Sequence, residues 1–305
     1  MSRATGAGTK KDGILAAMKA IILAGGKGTR LYPITMGVSK QLLPVHDVPM
    51  IYYPLSVLLR ANIAEIAIIS TPEDLPGFEK LLGDGSALGA QFTYIAQPRP
   101  EGIAQAFILA EDFIAGDACT LILGDNIFYG SELTALLKSA IGRSDASATL
   151  FAYQVKDPQR YGVIEKDDLG RILSIEEKPA QPKSNLAVTG LYVYPSSVVP
   201  VAQAIKPSTR GELEITDVNA HYLSAGQLSC ELLGRGYAWF DTGTINSLYQ
   251  ATDYVRALED RQGFKIGCVE EAAFESGLLS REGLLKRASL FEHNEYGAYL
   301  KQLAQ

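Results

Sequence analysis

Four short β-branched runs, Lys19–Ala24, Glu65–Ser70, Gln91–Ala96 and Cys119–Leu123, alternate with stretches of helical length and apolar spacing at Met50–Ala61, Pro76–Leu82 and Gly102–Phe113. Such alternation leaves few folds open. Strand, helix and strand in succession imply right-handed crossovers and a mostly parallel sheet covered by helices. In open sheets of this kind ligands lie at the carboxyl ends of the strands. Pro54 sits awkwardly inside the first helical stretch.

After Ser147 the pattern changes. Ala148–Val155, Tyr161–Lys166, Arg171–Glu176, Ala187–Tyr194 and Gln227–Leu233 read as strands, and Asp167-Asp-Leu-Gly170 is a hairpin signal. Helical stretches fall near Ser196–Ile205 and Ile215–Ala225, and Ser247–Arg261 is amphipathic with Gly263 as its stop. The predicted fold class is α/β, a Rossmann-like mixed, mostly parallel sheet flanked by helices with a small C-terminal helical extension. The predicted organisation is a disordered extension or tag over 1–17 and a core over 18–245 in two parts, about 18–145 and about 146–245. A helical segment over 246–305 reads as suited to an interface, and its last 40 or so residues read as detachable from the sheet.

The strongest chemical signal is Leu23-Ala-Gly-Gly-Lys-Gly-Thr-Arg-Leu-Tyr-Pro-Ile-Thr35. Three glycines in four positions after a strand let backbone N–H groups close around phosphate, and Lys27 and Arg30 add positive charge. The spacing is not that of a P-loop, and Leu31 stands where a dinucleotide fingerprint needs a small residue. Ten residues on, Lys40 in Val38-Ser-Lys-Gln-Leu-Leu-Pro-Val45 is followed at once by apolar residues and Pro, which suits a lysine held in a defined place.

Asp125 ends the apolar run Leu121-Ile-Leu-Gly-Asp-Asn126, and Asp241 repeats the arrangement in Tyr237-Ala-Trp-Phe-Asp-Thr-Gly-Thr244. An Asp at such a place can hold Mg²⁺ or cap the next helix, and on sequence both readings stand. Glu177 and Lys178, with Tyr161 and Gly162 on the neighbouring strand of the hairpin, suit a phosphorylated sugar: the carboxylate accepts from hydroxyls and the ammonium pairs with phosphate. Gln97 and the segment to Gln105 offer an amide and free backbone groups suited to a base edge. His46, His221 and His293 have no metal-ligand spacing, and no nucleophile elbow is present.

Composition narrows the partners. With 28 Lys+Arg against 34 Asp+Glu the formal charge is −6, which argues against a nucleic-acid binder. The three cysteines are far apart with no C-x-x-C pair, so a reducing, cytoplasmic setting fits. The apolar stretch from Ile14 to Ala24 is interrupted by Lys19 and too short to span a bilayer, so no membrane is expected as a partner.

These segments, in this order, resemble the glucose-1-phosphate thymidylyltransferases of the sugar nucleotidyltransferase family. Ser39-Lys-Gln-Leu-Leu-Pro, Glu177-Lys-Pro, Val188-Thr-Gly-Leu-Tyr and Arg210-Gly-Glu-Leu-Glu-Ile-Thr-Asp carry the resemblance together with the segments above, from Met18 nearly to the end. It implies the nucleotide-diphospho-sugar transferase fold, in which the part over about 18–145 is nucleotide-binding and the part over about 146–245 sugar-binding, with dTTP and α-D-glucose 1-phosphate as substrates, and dTDP-glucose and pyrophosphate as products. It further implies Mg²⁺ as cofactor, a homotetramer built as a dimer of dimers, and the first step of a dTDP-L-rhamnose or other dTDP-deoxysugar pathway.

The resemblance assigns catalysis to Arg30, Lys40 and Lys178, and the metal to Asp125 and Asp241. Leu23, Gly25, Gly26, Gly28, Thr29, Gln41, Gln97, Pro100, Gly102 and Asp125 are implied for the nucleotide, with Gln97 and Gly102 reading thymine. Asn126, Tyr161, Gly162, Glu177, Lys178, Val188 and Trp239 are implied for the sugar. A regulatory dTDP-sugar site is implied around Tyr129, Gly130, Arg235 and Lys265. There the chain departs from the family with Ser131, Val269 and Glu275 where many members have His, Pro and Arg, and a carboxylate at 275 works against an anionic effector. The same chemistry on UTP, a catalytically silent binding subunit and a nicotinamide-dependent oxidoreductase are the alternatives; the intact Arg30, Lys40, Asp125 and Asp241 speak against the second and Leu31 against the third.

Overall fold

The computed structural model describes residues 18–26 and 28–305, so the expected extension over 1–17 and the Lys27 assignment lie outside the described residues. In chain order the strands are β1 (Lys19–Leu23), β2 (Pro44–Val45), β3 (Val48–Pro49), β4 (Glu65–Ser70), β5 (Gln91–Ala96), β6 (Cys119–Leu123), β7 (Ile127–Tyr129), β8 (Ala148–Gln154), β9 (Gly162–Lys166), β10 (Ile172–Glu177), β11 (Leu186–Tyr194), β12 (Leu228–Leu233) and β13 (Ala238–Phe240). Nine of them form one sheet in the order β10-β9-β11-β6-β1-β4-β5, with β8 against β11 and β12 against β8. The expected parallel half is there: β1 pairs in parallel with β4 and β6, and β4 with β5. The later half is mixed, because β11 runs antiparallel to β6, β8 and β9.

Burial on both faces explains why β1, β4 and β6 are apolar over most of their length. Side chains alternate across a strand, so Ile21, Ala67 and Leu121 face one helical layer containing Phe107, Val198 and Tyr222. Ile22, Ile68 and Ile122 face the other, containing Tyr53, Leu58 and Leu137. Each fully buried side chain of this size contributes roughly 2 kcal/mol of transfer free energy.

Local chemistry sets most element ends. Pro54 is the third residue of the helix Tyr52–Arg60, in the first turn, where its missing N–H has no intrahelical partner to lose. Asp167 Oδ1 accepts the N–H groups of Leu169 and Arg171, which closes the β9–β10 hairpin. Thr244 and Ser247 form a capping box at the start of the helix Ile245–Gln262, and Gly263, at φ +72°, ends it.

The structure departs from expectation in three places. The stretch Gly102–Phe113 is not one helix: Leu213 pairs its N–H with the Glu101 carbonyl and its carbonyl with the Ala104 N–H, which keeps the start extended, and two short helices follow at Gln105–Leu109 and Glu111–Ile114. The helix Leu133–Ile141 and the small β7–β13 sheet are additional elements. The C-terminal helices Val269–Glu275, Arg281–Leu290 and Glu295–Leu303 are not detachable, because Val269, Ala272, Leu284 and Leu300 join the same core as Ile22, and the first of these helices packs on Tyr52–Arg60. Among the described residues no helix is long and apolar enough to cross a membrane.

Candidate active site

Parallel pairing of β1 with β6 sets their carboxyl ends side by side, so the glycine-rich loop and the Gly124-Asp125-Asn126 turn emerge together. The Gly124 N–H donates to the Leu23 carbonyl at 2.9 Å. A Cβ on Gly124 would lie 3.1 Å from both Ala24 and Gln41, which accounts for glycine before the aspartate. Lys40 opens a short turn, Lys40–Leu42, pinned where the Ile51 N–H donates to the Gln41 carbonyl at 2.9 Å. It is buried, and its ammonium donates to Asp125 Oδ2. A lysine buried to this degree needs such a partner.

Two cavities meet here. The smaller, about 240 Å³, is lined by Gly25, Gly26, Gly28, Thr29, Arg30, Leu31, Lys40, Gln41, Asp125 and Gly243. The larger, about 380 Å³, brings together Arg30, Asp125, Asn126, Tyr161, Gly162, Glu177, Lys178, Val188, Trp239 and Asp241 from distant stretches of the chain. Arg30 and Asp125 belong to both. A Cβ on Gly243 would lie 3.1 Å from an Arg30 guanidinium nitrogen, so glycine there gives the side chain room.

In the larger cavity Asp241 Oδ2 accepts from Arg160 at 3.0 Å and from the Tyr161 hydroxyl at 3.2 Å. Burial, reinforced by the Asp241 carboxylate, pushes the Tyr161 phenol well above its ordinary pKa and keeps it a donor. Glu177 accepts from the Thr216 hydroxyl at 2.6 Å and from Arg210 at 3.3 Å. Lys178, at φ +44°, holds a backbone conformation uncommon for a side-chain-bearing residue, and its N–H donates to the Tyr161 carbonyl at 3.0 Å. Trp239 packs 5.1 Å from the Tyr161 ring.

The two aspartates suit a hard divalent cation. Both offer carboxylate oxygens to one cavity, and Asp241 Oδ1 makes no hydrogen bond among the described residues. Oxygen donors on a polar wall, with room for phosphate and water, fit such an ion. Elsewhere the fold brings His46 within 3.6 Å of Glu259, beside Asp47, but the Lys265 ammonium already bridges the two carboxylates.

Not every expected residue lines the two cavities of the site. Leu23, Gln97, Pro100 and Gly102 line neither of the two. The Gln97 amide is buried and donates to Gln105 at 2.7 Å, and its oxygen occupies the space that a Gly25 Cβ would need, so it backs the loop. Tyr129, Gly130 and Lys265 line a third cavity of about 300 Å³ that also holds Arg60 and Glu271, whereas exposed Arg235 does not line it. Glu275, half-exposed, pairs with Arg60, which also pairs with Glu271 at 3.0 Å, and Glu275 itself does not line this cavity. Arg160, Thr216 and Gly243 join the site without having been given a role from the sequence; Thr216 and Gly243 lie in the segments Arg210–Asp217 and Tyr237–Thr244, whereas Arg160 carries no local signal.

The nucleotidyl transferase family model matches residues 19–257. The chain belongs to the nucleotidyl transferase family. Within that family it is 55% identical over 286 residues to a glucose-1-phosphate thymidylyltransferase of Neisseria meningitidis serogroup A, covering 94% of this chain and 99% of the relative. The enzyme of that name from Mycobacterium tuberculosis is 52% identical over 288 residues, with 94% and 99% covered. Among solved structures, a candidate glucose-1-phosphate thymidylyltransferase from Bacillus anthracis in complex with a sucrose superposes with a TM-score of 0.72 at 44% identity, covering 79% of this chain and 96% of that one. A UDP-glucose pyrophosphorylase complexed with UDP-glucose, at 22% identity and a TM-score of 0.70, covering 79% and 99%, shares the nucleotidyl transferase fold.

Proposed function

We propose that this nucleotidyl transferase is a glucose-1-phosphate thymidylyltransferase, converting dTTP and α-D-glucose 1-phosphate to dTDP-glucose and pyrophosphate. What supports this reading most is that the two cavities share Arg30 and Asp125 as a common wall. A triphosphate along the glycine-rich loop and a sugar phosphate between Tyr161 and Lys178 would meet at that wall.

An oxygen of the sugar phosphate attacks the α-phosphorus in line. The bond from that phosphorus to the bridging oxygen breaks, and its electron pair leaves with pyrophosphate. Such a step asks the protein for positioning and for positive charge. Arg30 sits where attacking and leaving oxygens gather charge, Lys40 neutralises the triphosphate side, and Lys178 holds the sugar phosphate. Tyr161, Gly162, Glu177, Val188 and Trp239 orient the glucose ring. Mg²⁺, held by Asp125 and Asp241, would supply charge neutralisation across the reacting phosphates. The Tyr129–Lys265 cavity is assigned to a regulatory nucleotide-sugar, and the C-terminal helices to the interface of a cytoplasmic homotetramer.

Pyrophosphate release measured with glucose 1-phosphate, Mg²⁺ and each nucleoside triphosphate in turn tests the reading. The expected result is release with dTTP well above that with UTP. Equal rates with the two would sink the thymidylyl assignment, since a pocket that uses the methyl group gains about 1–3 kcal/mol from it. No release with any nucleotide would leave a binding role.

A further inference from the structure

Between Asp241 and Gly243 stands a residue to which the proposed reaction gives no role. Thr242 is fully buried, and its φ of +20° is a conformation that β-branched residues rarely adopt. Such a backbone persists where surrounding contacts impose it. The Thr242 hydroxyl lies 2.6 Å from the main-chain carbonyl oxygen of Asp125 and 3.3 Å from the Met50 sulfur. A hydroxyl has one hydrogen, and the short oxygen contact takes it. Next to this bond β13 and β7 pair Phe240 with Ile127. The hydroxyl therefore extends the small ladder with a side-chain donor at the two residues where the chain turns its carboxylates toward the cavity.

We propose that Thr242 is a positioning residue whose hydroxyl clamps the Asp125 main chain to the Asp241 segment and so sets the spacing of the two carboxylates that hold the divalent cation. This rests on the cation assignment for Asp125 and Asp241, and not on which nucleotide or sugar is used. Asn126 ties the turn to β13 by accepting the Trp239 indole N–H at 2.7 Å and donates to Asp125 Oδ1 at 2.8 Å, whereas the Thr242 bond is made at the residue next to Asp241 and reaches the Asp125 main chain directly. Thr242 is the hydroxyl that crosses between the two segments.

Trp239, the single tryptophan of the chain, lines the same cavity as both aspartates, so its fluorescence reports cation binding without turnover. Mn²⁺ is the probe, because its unpaired electrons quench a nearby indole. Thr242→Val keeps the shape and loses the hydroxyl, Thr242→Ala loses the hydroxyl without adding bulk, and Thr242→Ser keeps it. The expected Mn²⁺ concentration for half-quenching is about tenfold higher in the Val and Ala variants, with Ser within about twofold of the unaltered chain. The Mg²⁺ concentration for half-maximal rate should move in parallel, with KM for glucose 1-phosphate unchanged.

Half-quenching of Thr242→Ala at the same Mn²⁺ concentration as the unaltered chain would overturn the proposal, and this holds even if Thr242→Val fails to fold. A Thr242→Ser shift as large as that of Thr242→Ala would overturn it too, by assigning the effect to the methyl group. Absence of quenching in the unaltered chain would remove the cation site and the clamp together. Pyrophosphate release by the unaltered chain tests the reaction separately from all three.

Discussion

The indole N–H of Trp239 donates to Asn126 Oδ1 at 2.7 Å. The same oxygen accepts the Gly190 N–H at 3.0 Å, while Asn126 Nδ2 donates to Asp125 Oδ1 at 2.8 Å. One buried amide thus ties β11, β13 and the turn after β6 into the wall of the larger cavity.

Asn126→Ala removes the acceptor and leaves two buried N–H groups without a partner. Stability to urea should fall by about 2–6 kcal/mol, at roughly 1–3 kcal/mol for each unsatisfied group. A loss under about 0.5 kcal/mol would show that water replaces the amide and that the hub is dispensable.

Asp125→Asn keeps the shape of the turn but removes the charge that faces Lys40 and the proposed cation. The expected outcome is a kcat at least about 100-fold lower, the scale of losing one electrostatic contact in a reacting site, with the far-ultraviolet circular dichroism spectrum unchanged. Near-full activity would remove Asp125 from the metal site.

Gly102 holds φ +108°, and a Cβ there would stand 2.5 Å from the Leu213 nitrogen and closer still to its carbonyl oxygen. Both neighbours are backbone and cannot swing aside. Gly102→Ala should cost about 2 kcal/mol or more. Gly37→Ala, where nothing lies within 4 Å, is the control and should be near neutral. Equal thermal melting of the two variants would contradict the crossing of these segments.

Burial raises the pKa of the Glu271 carboxyl, and the Tyr299 hydroxyl and Arg60 only partly offset it. A folded-state pKa above the unfolded value means that the folded state binds the proton more tightly. The contribution to stability is therefore complete below the unfolded carboxylate pKa and is lost as pH rises through the raised folded value. Glu271→Gln should flatten that part of the curve, so that its melting temperature gains on the unaltered chain as pH rises across this window. A constant difference between the two melting curves over that range would show that Arg60 balances the burial.

Much of the fold is legible in the sequence because its signals are local. The boundaries of β4, β5 and β6 follow from β-branched runs, and Asp167 and Gly263 mark a turn and a helix end through bonds to their own neighbours. β7 and β13, three residues each, are too short to show a period, and the break after Leu109 lies in a stretch whose start is set by where Leu213 crosses. In the site, Lys40 just ahead of Leu42-Leu-Pro44 is readable as a held lysine, whereas Gln97 in a polar segment gives no sign that Gln105 engages its amide.

The sequence alone determined which residues end strands, where glycines cluster after a strand, and which side chains carry charge near those ends. These are matters of period and of neighbouring residues. Tertiary structure decided the partners: Lys40 with Asp125 across 85 residues, Trp239 with Asn126 across 113, and Thr242 with Asp125 across 117. Such pairings exist only once β1 and β6 lie in parallel and β13 has paired antiparallel with β7, because a hydrogen bond depends on distances of about 3 Å that separation along the chain does not encode.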